Sequence, residues 1–535
     1  GRGPNRVVAW IGLLASAVFM ASLAWAGHGA AADDVPYDAL HLPADILHLL
    51  ASGAWLGALP MLVLLLFRAW RSGSHERVLE ACAATKRFSV LGITCVGTLL
   101  VTGVVNTWFL AGSAAALLGT QYGQLLLLKI AFFVGMVGVA GINQRRLLPC
   151  LADVDRDAAV RLRAVRQVSR NASIEAGLGV LVLGVVGVIG VLPPGLHTEP
   201  QWPLPFRIDY SEIAVGRQTF INIAAWAFVC ALAVVGYTLD RKRYRAMVVS
   251  VACAVLIGCI GGVALVPAIV QAYPTSFYAS PQAYAAPSIA RGAPLYAANC
   301  IVCHGVGGRG DGPLAGKLPI RPADLTESHL FAHKVGEMFW WVSNGRDNGV
   351  MPGFSDKLTP DQRWDLINFL LARAAGDGTR VVGSQIGTTA AVPLPDFAFE
   401  QGGAQNTLSQ MVKGGPVLVV LFTAHAPATR LAELAKAQPQ FNAAGLHVIA
   451  VGIGKGTNSS PLSVEVSDDV RAMLGLFRTD ADGGETELML DRGGNVRARW
   501  TAGGAGLADV PTLLNDAVTV AKIPVAAANH AGHGH

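Results

Sequence analysis

Apolar runs close to the ~20 residues needed to cross a bilayer recur seven times in the first half of this chain, at 7–26, 44–67, 88–110, 125–143, 172–192, 220–239 and 247–270. They predict an all-α bundle of seven transmembrane helices over residues 1–271. The pattern then changes. A Pro-punctuated stretch at 272–290, with Pro274, Pro281 and Pro287 among Ala, Tyr and Ser, reads as a semi-rigid tether. Within 291–375 Thr359 suits an N-cap with Pro360 at the first helical position, and Trp364, Ile367, Phe369 and Leu370 form the apolar face of the helix that follows. A Gly/Thr/Pro-rich linker is expected at 376–395. From 396 to 522 apolar runs of buried-strand type at 416–422, 446–453, 487–491 and 496–500 alternate with helical periods at 428–441 and 510–521. Residues 523–535 form a His-containing tail.

Composition supports a membrane protein, because 52% hydrophobic and 14% charged residues do not suit a soluble chain of 535 residues. Charge then assigns the sides. The segments before the first span and at 68–87, 144–171 and 240–245 carry 2, 5, 7 and 4 Lys plus Arg, against 0, 0 and 2 in the alternate loops. By the positive-inside rule the first set is cytoplasmic and residue 271 emerges outside. Arg2, Arg6 and Ala24-Trp25-Ala26 imitate a signal peptide with a small-residue cleavage site. A retained first span is expected, and cleavage would leave six spans with the same C-terminal side.

The chemistry concentrates at Cys300-Ile301-Val302-Cys303-His304. A C-x-x-C-H pentapeptide lets two thiols add to haem vinyl groups while the adjoining imidazole meets the iron. Zinc and dithiol readings of C-x-x-C lack a second Cys pair or spaced His, and lack the strand that precedes a thioredoxin motif. Met351, 47 residues past His304 in Asn348-Gly349-Val350-Met351-Pro352, is placed to bring a thioether to the other iron face. The segment resembles single-haem cytochromes c through Tyr296-Ala297-Ala298-Asn299-Cys300, Gly308-Arg309-Gly310-Asp311-Gly312-Pro313, Arg321-Pro322-Ala323-Asp324-Leu325, Met351-Pro352 and Leu358-Thr359-Pro360-Asp361-Gln362-Arg363-Trp364. The resemblance implies an all-α domain with one covalent haem c, attached outside the cytoplasmic membrane, in agreement with the charge bias.

Residues 40–195 resemble the copper-resistance D membrane domain. The matching residues are His41-Leu42-Pro43-Ala44-Asp45-Ile46-Leu47-His48, Thr102-Gly103, Asn106-Thr107-Trp108, Thr120-Gln121-Tyr122-Gly123, Lys129 and Ser173-Ile174-Glu175. The resemblance implies association with copper transport across a bacterial inner membrane. His41 and His48 are candidate copper ligands and His28 is a weaker one. Pro43 suits a first helical turn, so His41 is expected in the preceding loop and His48 inside the span. One shared ion then requires that loop to fold back, because two residues seven apart on a continuous helix stand about 10 Å apart. The alternative has His48 bonded to Ser52 and His41 solvated. Lys129 and Glu175 read as side chains snorkelling from near helix ends.

Residues 396–522 resemble a thioredoxin-like α/β domain of the periplasmic thiol-reductase kind, but the positions matching its C-x-x-C are Ala426 and Thr429, and Glu485 stands at its proline position before Thr486. No cysteine follows Cys303, so dithiol exchange has no thiolate to start from. Cys253 and Cys259, on one helix, are packing residues or soft ligands for Cu(I). His530, His533 and His535 are a copper- or zinc-capturing tail or a solvated terminus. No catalytic Ser/His/Asp set, phosphate loop or nucleic-acid footprint stands out. The expected function is single-electron transfer by a membrane-anchored periplasmic cytochrome coupled to copper handling, rather than catalysis on a substrate of its own. The expected partners are lipid, an electron donor and an electron acceptor. The alternatives are a copper transporter with a haem adjunct, and an accessory subunit of a copper-containing respiratory or oxygenase complex.

Overall fold

A computed structural model describes residues 4–25, 40–152, 157–209, 215–240, 244–387, 392–423, 428–453, 460–504 and 506–524. Seven of its helices are long and apolar enough to cross a membrane. They are α1 (Pro4–Ser22), α2 (His41–Ser72), α3 (His75–Ala111), α4 (Gln121–Ile142), α5 (Ala158–Ile189), α6 (Val215–Asp240) and α7 (Tyr244–Leu265). In lipid the backbone must satisfy its own hydrogen bonds, so these apolar runs have no alternative to helix. The chain forms two compact units, residues 1–204 and 205–534.

The first unit packs α2, α3, α4 and α5 around Trp55, Leu59, Leu66, Met136, Val165 and Val168. Its helices outrun the expected spans. Only Gly73 and Ser74 separate α2 from α3, with Gly73 in the left-handed region at φ 61°. The start of α2 differs from expectation, since His41 is its first residue rather than part of a loop. Pro43 is tolerated inside the first turn because the first amides of a helix have no intrahelical partner. Glu175 is also corrected: it is 1% exposed and does not snorkel.

In the second unit, Phe206–Ile208 pairs antiparallel with Ile269–Gln271 at the exit of α7. The stretch that follows is packed rather than free. Tyr273 stacks on Trp340 at 5.9 Å and the Thr275 hydroxyl donates to the Gly336 carbonyl at 2.6 Å. Glycine is required at 336, where a Cβ would sit 1.9 Å from the Thr275 carbonyl oxygen. Arg207 donates to Glu337 at 2.6 Å and pairs with Asp209, while Ser276 adds a bond to Glu337. The helix Ala286–Asn299 begins within the stretch expected as a tether.

Ala286–Asn299 crosses Pro360–Val381, which carries the expected Thr359 cap, here a full capping box with Gln362. Asp365, buried in that helix, accepts bonds from Ser288 and Arg291. The mixed-sheet domain comprises β1 (Val392–Pro393), β2 (Val417–Phe422), β3 (His447–Gly452), β4 (Glu485–Leu490) and β5 (Asn495–Thr501), in the order β1-β5-β4-β2-β3. β2 and β3 are parallel through the helix Ala428–Ala443, and β4 and β5 are antiparallel and lead into Val510–Ala521. This β-α-β plus β-β-α order is thioredoxin-like. The linker expected at 376–395 is partly built into the fold, since the preceding helix runs to Val381 and Gly376 faces the Leu476 carbonyl. One apolar core continues from Trp364, Leu371 and Ala375 to Leu474, Phe477 and Leu488.

Under the sheet, Arg430 forms a two-pronged pair with Glu487 at 2.7 and 2.9 Å and donates to the Ala508 carbonyl at 2.6 Å. The Glu487 side chain is fully buried, so Glu487→Ala leaves the buried Arg430 guanidinium with only the half-exposed Glu433 and the Ala508 carbonyl, and is expected to cost about 3 kcal/mol. Hydrogen exchange across β2 and β4 should accelerate accordingly; unchanged protection would show the pair to be dispensable.

Candidate functional site

The Cys300–His304 pentapeptide sits where Ala286–Asn299 gives way to the short helix Ile301–His304. Both thiols are half-buried and free. Burial, helped by the Cys303 thiol, pushes Cys300 up to about 11. His304 Nδ1 lies 3.0 Å from the Ala323 carbonyl oxygen. A carbonyl only accepts, so Nδ1 carries the proton and Nε2 is left with the lone pair that binds a metal. Burial lowers the His304 pKa, opposed by that carbonyl, and the neutral ring is the ligand form.

The segment after the motif folds back over it. Gly310 and Gly312 donate to the His304 and Cys303 carbonyls, and Leu314 donates to Val302. A Cβ at Gly312 would stand 2.5 Å from the Ile301 oxygen, so only glycine permits this approach. Asp324 accepts from the backbone and hydroxyl of Thr326, fixing the turn that presents Ala323. Beside the motif Val302, Val306 and Leu314 are 44%, 71% and 38% exposed, apolar surface of the kind a porphyrin covers. Free thiols, a tautomer-fixed imidazole and uncovered apolar side chains together fit a covalent haem.

Met351 is aimed by a tight hairpin. Arg346 and Met351 exchange backbone bonds of 3.0 and 3.2 Å across the four residues 347–350, with Asp347 and Asn348 at φ near 55° and Gly349 at φ 90°. Asp and Asn tolerate that left-handed region better than other side-chain-bearing residues, and such conformations persist where the surroundings over-determine them. Cys300, Ile301 and Met351 are part-buried against the same core.

In the membrane helices His41 is 1% exposed, stacked on Phe109 at 4.9 Å, and its Nδ1 has no partner. His48 Nδ1 is 2.9 Å from the Thr102 hydroxyl, which donates its own proton to Thr98. His48 is therefore the donor and its Nε2 carries the lone pair. Ser52 instead donates to the His48 carbonyl. Asn106 donates to Asp45 at 3.1 Å, and Asp45 lies within electrostatic reach of His41 and Lys129. Lys129 stands more than two turns inside α4 rather than at its end. With both histidines on one continuous helix the fold-back that a shared ion needs does not occur. Among the described residues no group of three or more His, Cys, Asp or Glu side chains has metal-holding geometry. Glu175 accepts from Asn143 at 2.9 Å, and Asn143 accepts from Asn171. A cavity of about 330 Å³ beside Glu175, Asn143 and Trp55 is lined by no His, Met or Cys, so it offers copper no soft ligand. The Asp45–Asn106 pair escaped the sequence reading although both residues lie in the quoted motifs, because only the fold shows that they meet.

Glu485 is 2% exposed with Oε1 unpartnered, and burial with Glu487 nearby raises its pKa. Thr429 lies in the helix after β2, whereas Ala426, His28, His530, His533 and His535 fall outside the described residues.

Comparison with known proteins follows this division of the chain. The family model for copper resistance protein D matches residues 82–189, and that for cytochrome c matches residues 289–373. Copper resistance protein D of Pseudomonas syringae pv. tomato is 36% identical over 34% of this chain and 59% of its own length. Copper transport protein CutJ of Bacillus subtilis is 30% identical over 33% and 29%, and the inner membrane protein YebZ of Escherichia coli is 30% identical over 36% and 61%. The match thus spans less than two thirds of each relative. A solved thioredoxin domain of a thiol-disulfide oxidoreductase from Bacteroides vulgatus, 17% identical, covers 26% of this chain and 99% of its own, with a TM-score of 0.20. The chain is a multi-pass membrane protein in which residues 82–189 are similar to copper resistance protein D, residues 289–373 are similar to cytochrome c, and the mixed-sheet domain has a thioredoxin-like fold.

Proposed function

We propose that this protein is a c-type cytochrome of the bacterial inner membrane that passes single electrons on the periplasmic side and handles copper through its membrane helices. The observation that carries the reading is His304, its proton fixed on Nδ1 by Ala323 and its other nitrogen free beside two thiols. Cys300 and Cys303 would hold one haem covalently, and His304 and Met351 would hold its iron. When bound, the group supplies one-electron Fe(III)/Fe(II) exchange. The protein's part is to fix the imidazole, aim the thioether and exclude water with the apolar core. The thioredoxin-like domain lacks thiols and serves docking.

Copper handling is proposed for His41 and His48. They stand about 10 Å apart on α2, so each would hold copper separately, as successive stations. The polar set around Asp45, Asn106 and Lys129 favours a second reading, in which copper passage is the main task. Copper flux into vesicles containing the purified chain separates the two.

Three outcomes are expected. Met351→His retains haem but lowers its midpoint potential, because imidazole favours Fe(III) more than thioether does; an unchanged potential and spectrum in Met351→Ala would assign the sixth position elsewhere. Insulin reduction by the purified chain stays at background, and turnover above it would contradict an inert domain. Copper bound per chain falls in His41→Ala/His48→Ala with haem intact; equal copper in both proteins would remove these residues from the proposal.

A further inference from the structure

The turn Ser328–Ala332 and the residue after it carry two imidazoles that neither the haem motif nor the membrane helices use. His329 and His333 have ring centroids 5.7 Å apart and planes at 85°. With nitrogen–metal bonds near 2.0 Å, each ring centroid lies about 3.2 Å from a bound ion, so two centroids stand about 5.2 Å apart at a tetrahedral angle and about 6.4 Å apart when linear. The observed 5.7 Å falls between these limits.

The surroundings prepare both rings. Glu327 Oε2 lies 2.9 Å from His329 Nδ1, which draws the ring proton toward the carboxylate and leaves Nε2 for a metal. His333 packs edge-on against Trp341 at 4.9 Å. Burial lowers the His333 pKa; Glu337 opposes this, and His329, Arg346 and Arg207 add to it. Trp341 lies under the Arg346 guanidinium at 4.6 Å, and the Arg346 backbone pairs with Met351. The imidazole pair is therefore linked through two side chains to the loop that aims Met351.

Among the described residues no third His, Cys, Asp or Glu completes a metal-holding group here. That leaves the pair short for Zn²⁺, which takes four ligands in structural sites, but not for Cu(I), which accepts two. We propose that His329 and His333 form a two-imidazole Cu(I) site whose remaining coordination positions stay open to a copper donor or acceptor. The choice of metal rests on the copper-handling reading above, whereas the ligand pair rests on its own geometry. The sequence held one signal for it, two histidines spaced i, i+4 at His329 and His333.

The test is anaerobic competition of Cu(I) between a chromophoric chelator and the full chain in detergent, for wild type and two double variants. His329→Ala/His333→Ala should bind one Cu(I) fewer than wild type, with haem absorbance per chain unchanged. Glu327→Gln should keep the stoichiometry and weaken that site by roughly 10–100-fold. Should the double variant fold poorly, His329→Gln alters a side chain that is 52% exposed and should lose the same equivalent. Wild-type stoichiometry and affinity in His329→Gln overturns the site. Copper lost only in His41→Ala/His48→Ala also overturns it. Copper lost only in the His329/His333 variants supports it and removes α2 from copper binding.

Discussion

The bond between His304 Nδ1 and the Ala323 carbonyl sets the terms for the part of the chain that follows the last membrane helix. An imidazole presents one lone pair, and which nitrogen carries it is decided by what the other nitrogen meets. To bring Ala323 to that place the chain must turn back over the pentapeptide, which Gly310 and Gly312 permit by lying against carbonyl oxygens where a side chain would collide. Asp324 then holds the turn through Thr326. Met351 is held separately, by a hairpin in which Asp347, Asn348 and Gly349 all have left-handed φ. The pentapeptide and Met351 pack against one core, which runs on into the mixed-sheet domain. That continuity gives the thioredoxin-like domain a physical role without thiols, since it buries one side of the helices Ala286–Asn299 and Pro360–Val381.

In the membrane half the governing cost is that of polar groups in lipid. The helices meet it by pairing: His48 with Thr102, Asp45 with Asn106, and Glu175 with Asn143 and Asn171. The pairing is incomplete: His41, buried on Phe109, has an unpartnered Nδ1, and Trp55 Nε1 and two Arg161 nitrogens are likewise buried without a partner. A buried nitrogen without a partner either costs stability or waits for a ligand.

Much of this was legible in the sequence, for reasons that can be named. The seven spans are fixed by composition alone, and the helix Val510–Ala521 by its apolar period. The Thr359 cap was readable because its chemistry is local. What escaped depended on distant segments meeting. The tether expected after α7 is packed because Arg207, far back in the chain, reaches Glu337, and because Gly336 admits the Thr275 backbone. Glu175 was expected to reach for the membrane edge, and only the approach of Asn143 makes its burial tolerable. Pro43 suits a helix start and so points to a loop for His41, although proline is equally content at a later position of the first turn, where the fold has it.

The central claim, that the pentapeptide at Cys300–His304 carries this protein's one haem, is tested most directly by measuring haem on the purified chain. Pyridine haemochrome absorbance with peptide mass spectrometry gives both stoichiometry and place. The account predicts one haem per chain, covalently attached to the peptide that contains Cys300 and Cys303. Haem absent from that peptide, or carried on another segment, would contradict it.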